Sequence, residues 1–217
     1  MAKRAGAAKS GAAKSSGGTP GATGDAESRL VDAALRLAAR QGWRSTGVGE
    51  IAAEAGLPLD EAYAACPSKL AILVAFQRRI DRAALAVPAG EREESGRDRL
   101  FDILMRRFDA LQPHRAALRV ILRDSVGDPA ALMAGPAMLR SMAWMLEAAG
   151  VSAAGWRGAL RTQLLAGLYL WMMREFIDDD TADLAKTMAA LDRRLRRAQS
   201  FLGLTGTPSD PAGAASG

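Results

Sequence analysis

The sequence contains little of what disulfide bonding, membrane insertion or catalysis requires. Its one cysteine, Cys66, excludes an internal disulfide and is typical of a protein in a reducing compartment. No apolar run reaches the roughly 18 residues of a membrane-spanning helix, and no apolar segment near the N-terminus resembles a signal peptide. The chain has no glycine-rich phosphate loop, no Ser-His-Asp pattern and no metal-ligand spacing. We therefore expect a cytoplasmic protein that is not an enzyme and that holds no cofactor or metal.

Aromatic and β-branched residues are also scarce. Aromatic residues make up 5% of the chain, whereas Ala, Leu, Arg and Met are abundant, and this balance favours helices over strands. Hydrophobic residues reach 49%, which is enough for a packed core in a chain of 217 residues. The composition therefore predicts an all-α protein with one large domain, or with one small and one larger domain.

Net positive charge is small outside the N-terminus. The net charge is +5, but residues 1–24 contain four basic residues and no acidic residue, so the rest of the chain totals only +1. Residues 1–24 are otherwise rich in Gly, Ala and Ser and are predicted to form a disordered tail. This tail either aids solubility or acts as a basic arm that follows DNA phosphates. Residues 204–217 are predicted to form a second disordered tail.

Residues 25–87 are predicted to form an N-terminal domain of four helices. The first helix is expected to start near Ser28, and the fourth to span residues 69–86. Two short helices joined by a glycine turn form a helix-turn-helix, whose second helix fits the DNA major groove. The helix boundaries are indicated by residues that end or cap helices, namely Gly42, Thr46, Gly56, Pro67 and Ser68.

The charge of this domain is unusual for a DNA-binding unit. Residues 25–76 contain five basic and seven acidic residues, for a net charge of −2. Most base contacts come from Arg, Lys, Asn and Gln, and none of these lies between Gly56 and Pro67. That segment instead carries Asp60 and Glu61. A continuous basic face formed by Arg40, Arg44 and Lys69 would favour DNA binding.

Residues 95–203 are predicted to form a C-terminal helical domain that follows a polar break at Pro88–Glu94. A helix starting at Asp128-Pro129 is expected to kink at Gly135-Pro136. A strongly apolar helix is predicted over residues 156–177, and the last residue of Asp178-Asp179-Asp180 can cap a final helix over 181–202. That final helix has a heptad seam suited to a partner helix, so we expect a homodimer through the last two helices.

Methionine and tryptophan are concentrated in this domain, where they either line a pocket for a small apolar ligand or form ordinary core. The predicted ligand-binding residues are Met142, Trp144, Met145, Leu168, Trp171 and Met172.

The N-terminal segment resembles the TetR family of regulators. The resemblance covers residues 29–76 and rests on Ala33-Ala34, Gly42-Trp43, Thr46, Ile51-Ala52, Ala55-Gly56, Tyr63 and Pro67-Ser68-Lys69. It implies a three-helix DNA-binding unit joined by a fourth helix to a larger domain that binds ligand and dimerises. It further implies that Thr46, Tyr63 and Lys69 contact DNA phosphates. The usual His-Phe pair after the tyrosine is replaced by Ala65-Cys66.

Residues 138–197 resemble a second group, the accessory lipid-binding proteins of ubiquinone biosynthesis. The resemblance implies a TetR-like fold that binds a lipid or isoprenoid, makes peripheral membrane contact and does not bind DNA. DNA-binding regulation and lipid binding therefore remain as alternative functions. The matching segments are Leu165-Ala166-Gly167-Leu168-Tyr169, Phe176-Ile177-Asp178-Asp179, Thr187 and Leu191-Asp192-Arg193-Arg194.

Overall fold

A computed structural model describes residues 20–86, 95–126 and 135–204 of the chain. Within these ranges the regular structure is entirely helical, which confirms the predicted all-α class. A 3₁₀ turn at Gln112–His114 joins the fifth and sixth helices. The helices are α1 (Pro20–Gln41), α2 (Val48–Glu54), α3 (Leu59–Ala65), α4 (Lys69–Leu85), α5 (Gly96–Leu111), α6 (Arg115–Ser125), α7 (Gly135–Ala148), α8 (Gly155–Asp178) and α9 (Ala185–Leu202).

Helices α1 to α3 form an N-terminal head, in which α1 packs against both short helices. Helix α1 begins at Pro20, well before the predicted Ser28, and ends before Gly42, whose φ of +94° favours glycine. Its inward stripe is buried as its helical spacing predicts. The stripe consists of Leu30, Ala34, Leu37 and Ala38.

The predicted cap of α2 is wrong by one residue. Gly47 is the N-cap, and its N–H donates to the Glu50 carboxylate at 2.7 Å. The Thr46 hydroxyl donates instead to the Gly42 carbonyl at 2.7 Å, because the loop turns this side chain inward. The predicted Ser68 cap of α4 is confirmed, since its hydroxyl accepts from the Ala71 N–H at 3.1 Å.

Helices α5 to α9 form the C-terminal body, and α4 connects it to the head by packing on α1, α5 and α7. The core of the body contains Phe108, which lies 5.5 Å from the Tyr169 ring and 5.3 Å from the Phe176 ring, between centroids. Helix α7 is described from Gly135 onward, so the predicted kink at Gly135-Pro136 lies at the edge of the described residues and stays a prediction. Asp128-Pro129 lies outside the described residues.

The turn between α8 and α9 differs from the prediction. Helix α9 starts at Ala185, and the Asp179 carboxylate, not that of Asp180, accepts the Thr187 N–H in its first turn at 2.7 Å. Asp180 pairs instead with Lys186 at 2.6 Å. Asp179 serves as the cap because it is the buried member of the acidic run, at 1% exposure.

The heptad seam of α9 also packs differently from the prediction. Its leucines Leu184, Leu191, Leu195 and Leu202 are buried within this chain, where α9 packs on α8 and α5. The seam therefore belongs to the core of one subunit and not to a subunit interface. None of the helices in the described ranges is long and apolar enough to cross a membrane.

Candidate nucleic-acid interface and ligand groove

Helices α2 and α3 form a helix-turn-helix held by Arg29 of α1. Gly56 makes the turn with a φ of +63°, a conformation that glycine adopts without strain. The Arg29 guanidinium donates from Nη2 to the carbonyls of Ala55 and Gly56, at 2.6 and 2.9 Å. These bonds satisfy carbonyls at the end of α2 and fix the turn against α1.

Helix α3 presents one face to the head and the other to solvent. Ala62, together with Cys66 just after the helix, is buried against the head. Leu59 and Tyr63 are 66% and 70% exposed, and Asp60 is also exposed. The Tyr63 hydroxyl is therefore placed where it can reach a phosphate, as the family resemblance implies.

Two arginines of α1 lie on a carboxylate of α2. Arg36 and Arg40 donate to the Glu54 carboxylate at 3.0 and 3.3 Å. The hydrogen bond from Arg36 is the main cause that lowers the pKa of Glu54, so this carboxylate stays charged. Glu54 thereby offsets one of the two positive charges on this part of α1.

A continuous basic face of Arg40, Arg44 and Lys69 would favour DNA binding, and the structure shows what these side chains contact. The Lys69 ammonium donates to the Trp43 carbonyl at 2.5 Å and lies 4.3 Å from the centroid of the Trp43 ring. The Arg44 guanidinium donates to the carbonyls of Asp124 and Val126, at 2.7 and 2.9 Å. Each of the three cations therefore binds a different part of the protein.

Thr46, the remaining residue predicted to contact phosphate, is 2% exposed with its hydroxyl bonded to Gly42. Of the four residues predicted to bind DNA, Tyr63 and Arg44 are exposed, Lys69 is half-buried and Thr46 is buried. The phosphate contacts of Thr46, Arg44 and Lys69 stay predictions that require these side chains to rearrange.

Asp124 links the end of α6 to the loop between α1 and α2. Its carboxylate accepts the backbone N–H groups of Trp43 and Arg44, at 2.8 and 3.2 Å. The hydrogen bond from Arg44 is the largest of the effects that lower the pKa of Asp124. Body and head are thus joined at the loop that precedes the helix-turn-helix.

A groove of about 540 Å³ lies between α4 and α7. Its apolar walls include Val74, Leu85 and the exposed ring of Trp144. Its charged lining residues include Arg82 and Arg140, and also Glu27, whose carboxylate lies 4.0 Å from the Arg82 guanidinium. A concave surface with apolar walls and a few charged groups is typical of a small-molecule site.

A buried polar cluster lies beneath this groove. Arg107 is 2% exposed and forms an ion pair with Asp81, while its Nη1 donates to the Ser141 hydroxyl at 3.0 Å. Ser141 in turn donates to Asp81 at 2.8 Å, and the Arg107 guanidinium lies 4.9 Å from the Tyr169 ring centroid. Asp81 and Ser141 reach the groove, so the cluster connects the groove to the core.

The six residues predicted to bind ligand are not brought together. Met142, Met145 and Met172 are fully buried in the packed core of the body. Leu168 and Trp171 line a separate shallow groove between α8 and α9, where the Arg194 guanidinium lies 2.9 Å from the Trp171 ring centroid. Trp144 alone of the six lines the groove between α4 and α7.

Sequence reasoning missed Asp81, Arg107, Ser141 and Asp124. A usable indication was present for Arg107, because it falls at an inward position of α5 between Leu104, Phe108 and Leu111. A charged residue on an apolar stripe predicts a buried partner, although it does not identify that partner.

Comparisons with known proteins agree with this geometry. Residues 30–75 match the family model of bacterial regulatory proteins of the tetR family, while no curated protein matches the chain. A TetR transcriptional regulator from Nitrosomonas europaea is 24% identical with a TM-score of 0.64, over 80% of this chain and 98% of that one. A TetR regulator from Rhodococcus sp. RHA1 is 22% identical with a TM-score of 0.58, over 83% and 96%.

Thermus thermophilus FadR, a TetR family repressor solved in complex with lauroyl-CoA, is 20% identical with a TM-score of 0.50, over 86% of this chain and 98% of that one. These comparisons give no support to the resemblance with the accessory protein of ubiquinone biosynthesis. The chain has the TetR-type fold, and residues 30–75 form the N-terminal domain of that fold.

Proposed function

We propose that this chain is a homodimeric DNA-binding transcriptional regulator whose DNA affinity responds to an anionic apolar ligand. The helix-turn-helix carries this proposal, because α3 stands exposed on a head that matches the tetR family model. Exposed Tyr63 supplies one phosphate contact, and rearrangement of Lys69 and Arg44 would supply others.

The test is specific binding to DNA from beside the protein's own gene. Fluorescence anisotropy at about 50 mM salt is suitable, because phosphate contacts weaken steeply as salt rises. We expect the protein to bind one such fragment at least about a thousandfold more tightly than a shuffled duplex of the same composition. Equal affinity for both duplexes would contradict the proposal.

An exposed apolar stripe on α8 supports the dimer. Trp156, Leu160 and Leu164 recur at intervals of four residues and remain 42–74% exposed in the single chain. Phe201 of α9 is 74% exposed beside the shallow groove that contains Trp171. A continuous apolar surface of this kind marks a protein contact, and a second copy with the same stripe can cover it.

Leu160→Glu is expected to dissociate the dimer. The new carboxylate would be buried without a partner, and it would face the same carboxylate of the other subunit across a twofold axis. The dissociation constant of the dimer should therefore rise at least about a hundredfold. Sedimentation velocity over a concentration series measures this change. Leu122→Glu is the matched control, because Leu122 is 39% exposed on α6, away from the stripe, and should leave the dimer intact. Equal dissociation by both variants would exclude this interface.

The groove between α4 and α7 is the proposed ligand site. Arg82 and Arg140 suit a carboxylate or phosphate, while Val74, Leu85 and Trp144 suit a hydrocarbon chain. The complex of FadR with lauroyl-CoA shows that a protein of similar fold binds an acyl compound. Helix α4 lines the groove and begins at Lys69 beside the head, so a ligand that displaces α4 would shift the head.

Asp124→Ala is expected to loosen the connection between body and head. The amides of Trp43 and Arg44 lose their acceptor, and their hydrogen exchange should accelerate roughly five- to tenfold. Since the pKa of Asp124 is lowered, the wild-type link is fully present above the ordinary carboxylate pKa and is lost as pH falls through the lowered value. Amide exchange resolved by mass spectrometry tests this, with Asp109→Ala on the exposed side of α5 as control. Unchanged exchange at residues 43–44 in Asp124→Ala would show that the carboxylate does not hold the loop.

A further inference from the structure

We propose that α3 recognises pyrimidine edges in the major groove, with Asp60 accepting a hydrogen bond from the N4 amino group of a cytosine. Leu59 and Ala64 contact thymine methyl groups beside it. This inference rests on the proposed DNA-binding function and specifies which bases that function selects.

The geometry of α3 places Asp60 at the centre of the outward face. Residues of a helix follow one another at about 100°, so Asp60 and Ala64 lie on the side opposite buried Ala62 and Cys66. Leu59 borders this face and is 66% exposed at the start of the helix. In helix-turn-helix proteins the N-terminal residues of the second helix contact base edges.

The chemistry of this face selects among the four bases. Guanine presents two acceptors in the major groove, and adenine presents an acceptor beside a donor, so both are usually bound by Arg, Lys, Asn or Gln. Helix α3 has none of these residues. A carboxylate can accept from the cytosine amino group, and methyl or isobutyl groups pack on the thymine methyl. The same carboxylate would repel guanine O6 and N7, so a C·G pair is distinguished from a G·C pair.

The alternative role of Asp60 is to stabilise α3 without contacting DNA. Acidic residues in the first turn of a helix stabilise it through the helix dipole, and both Asp60 and Glu61 occupy that turn. The structure gives neither carboxylate an ion pair or hydrogen bond within the described residues. Glu61 lies about 100° further around the helix, toward its flank, so it shares the dipole effect but not the central outward position. It therefore provides a matched control.

The test begins with sites enriched from a random duplex library by the full-length protein at low salt. Asp60→Ala should bind the enriched site at least about tenfold more weakly and lose its preference for one cytosine. Glu61→Ala should keep that preference and bind all duplexes as tightly as wild type or more so, because it removes repulsion from phosphates. Both variants lose one negative charge from the first turn of α3. Their melting temperatures therefore measure the helix-dipole effect independently of DNA binding.

Modified duplexes test the same contact on the wild-type protein. N4-methylcytosine at the selected position should weaken wild-type binding about tenfold and should not weaken Asp60→Ala binding further. Uracil in place of thymine should weaken binding, whereas 7-deazaguanine should not. If 7-deazaguanine weakens binding and Asp60→Ala tightens it, this inference is overturned while DNA binding stands. If no duplex is enriched, the proposed function fails and the inference fails with it.

Discussion

Replacing Asp81 by alanine is expected to lower the free energy of unfolding by about 3–5 kcal/mol. The guanidinium of Arg107 would remain 2% exposed inside the body without its carboxylate partner. Its Nε lacks a hydrogen-bond partner in the described structure, so the neutral Ser141 hydroxyl, which accepts from Nη1 at 3.0 Å, would replace a carboxylate as the polar partner of the charge. The Tyr169 ring would still face the cation at 4.9 Å, but a ring stabilises a cation less than a carboxylate does.

Urea denaturation of Asp81→Ala, at fixed protein concentration because the protein is proposed to dimerise, measures this loss. The double variant Asp81→Ala, Arg107→Met should recover most of it, because the buried charge is removed together with its partner. Arg78→Ala provides the control, since Arg78 is an exposed arginine that pairs with Glu27 at 2.7 Å and should contribute less than about 1 kcal/mol. A loss of similar size in the control and in Asp81→Ala would show that burial does not strengthen the pair.

Asp179→Ala is expected to lower the free energy of unfolding by about 2–4 kcal/mol at neutral pH. The carboxylate accepts the N–H and the hydroxyl of both Thr181 and Thr187, and Thr187 is completely buried. The same turn holds Leu184 at a φ of +55°, a strained value for leucine. Without Asp179, the Thr187 N–H in the first turn of α9 and the Thr181 N–H before it lose their acceptor.

The effect of Asp179 should depend on pH in a defined direction. Burial alone would raise the pKa of Asp179, but the hydrogen bonds from Thr181 and Thr187 outweigh it and lower the pKa from 3.8 to about 2. A lowered pKa stabilises the fold above the unfolded value, so the contribution is complete above about pH 4 to 5. The contribution of Asp179 declines as the pH falls and vanishes below about pH 2.

Unfolding measured at several pH values between 7 and 2 tests this expectation. The difference in stability between wild type and Asp179→Ala should narrow as the solution is acidified. Asp180→Ala is a control from the same acidic run, because Asp180 is exposed and bonds only to the exposed Lys186. It should change stability far less than Asp179→Ala at every pH. A pH-independent difference for Asp179→Ala would mean that its ionised form is not what stabilises the turn.

Helix positions could be predicted from the sequence wherever a local rule determines them. Ser68 and Ser95 cap α4 and α5 through their own hydroxyls, and Gly42 follows α1 with a positive φ. The same rules predict caps at Thr46 and Asp180, which do not act as caps. In each case a different residue, Glu50 or Asp179, accepts a backbone N–H at the helix start instead. The packing of the loop places that residue there, and sequence spacing does not encode this packing.

The candidate sites could be predicted only in part. The outward placement of Tyr63 follows from helical spacing within the family segment. The partners of Arg44, Lys69 and Arg107 come from elements between 26 and 82 residues away in the chain. Spacing rules act within one helix, so they cannot show that Arg44 meets the end of α6. The sequence leaves the methionines open between pocket and core, because composition does not distinguish a core residue from a residue that lines a cavity.

For a DNA-binding regulator of the kind proposed above, the internal pairing of the cations in the head has a consequence for the search of a genome. Attraction to arbitrary sequences comes almost entirely from cations that displace counterions at phosphates. Arg36 and Arg40 share the Glu54 carboxylate and Arg44 binds the end of α6, so such a head would attract arbitrary DNA less than a head with unpaired arginines. Fewer molecules would then be held at random sites. A small number of copies per cell could then occupy a single promoter.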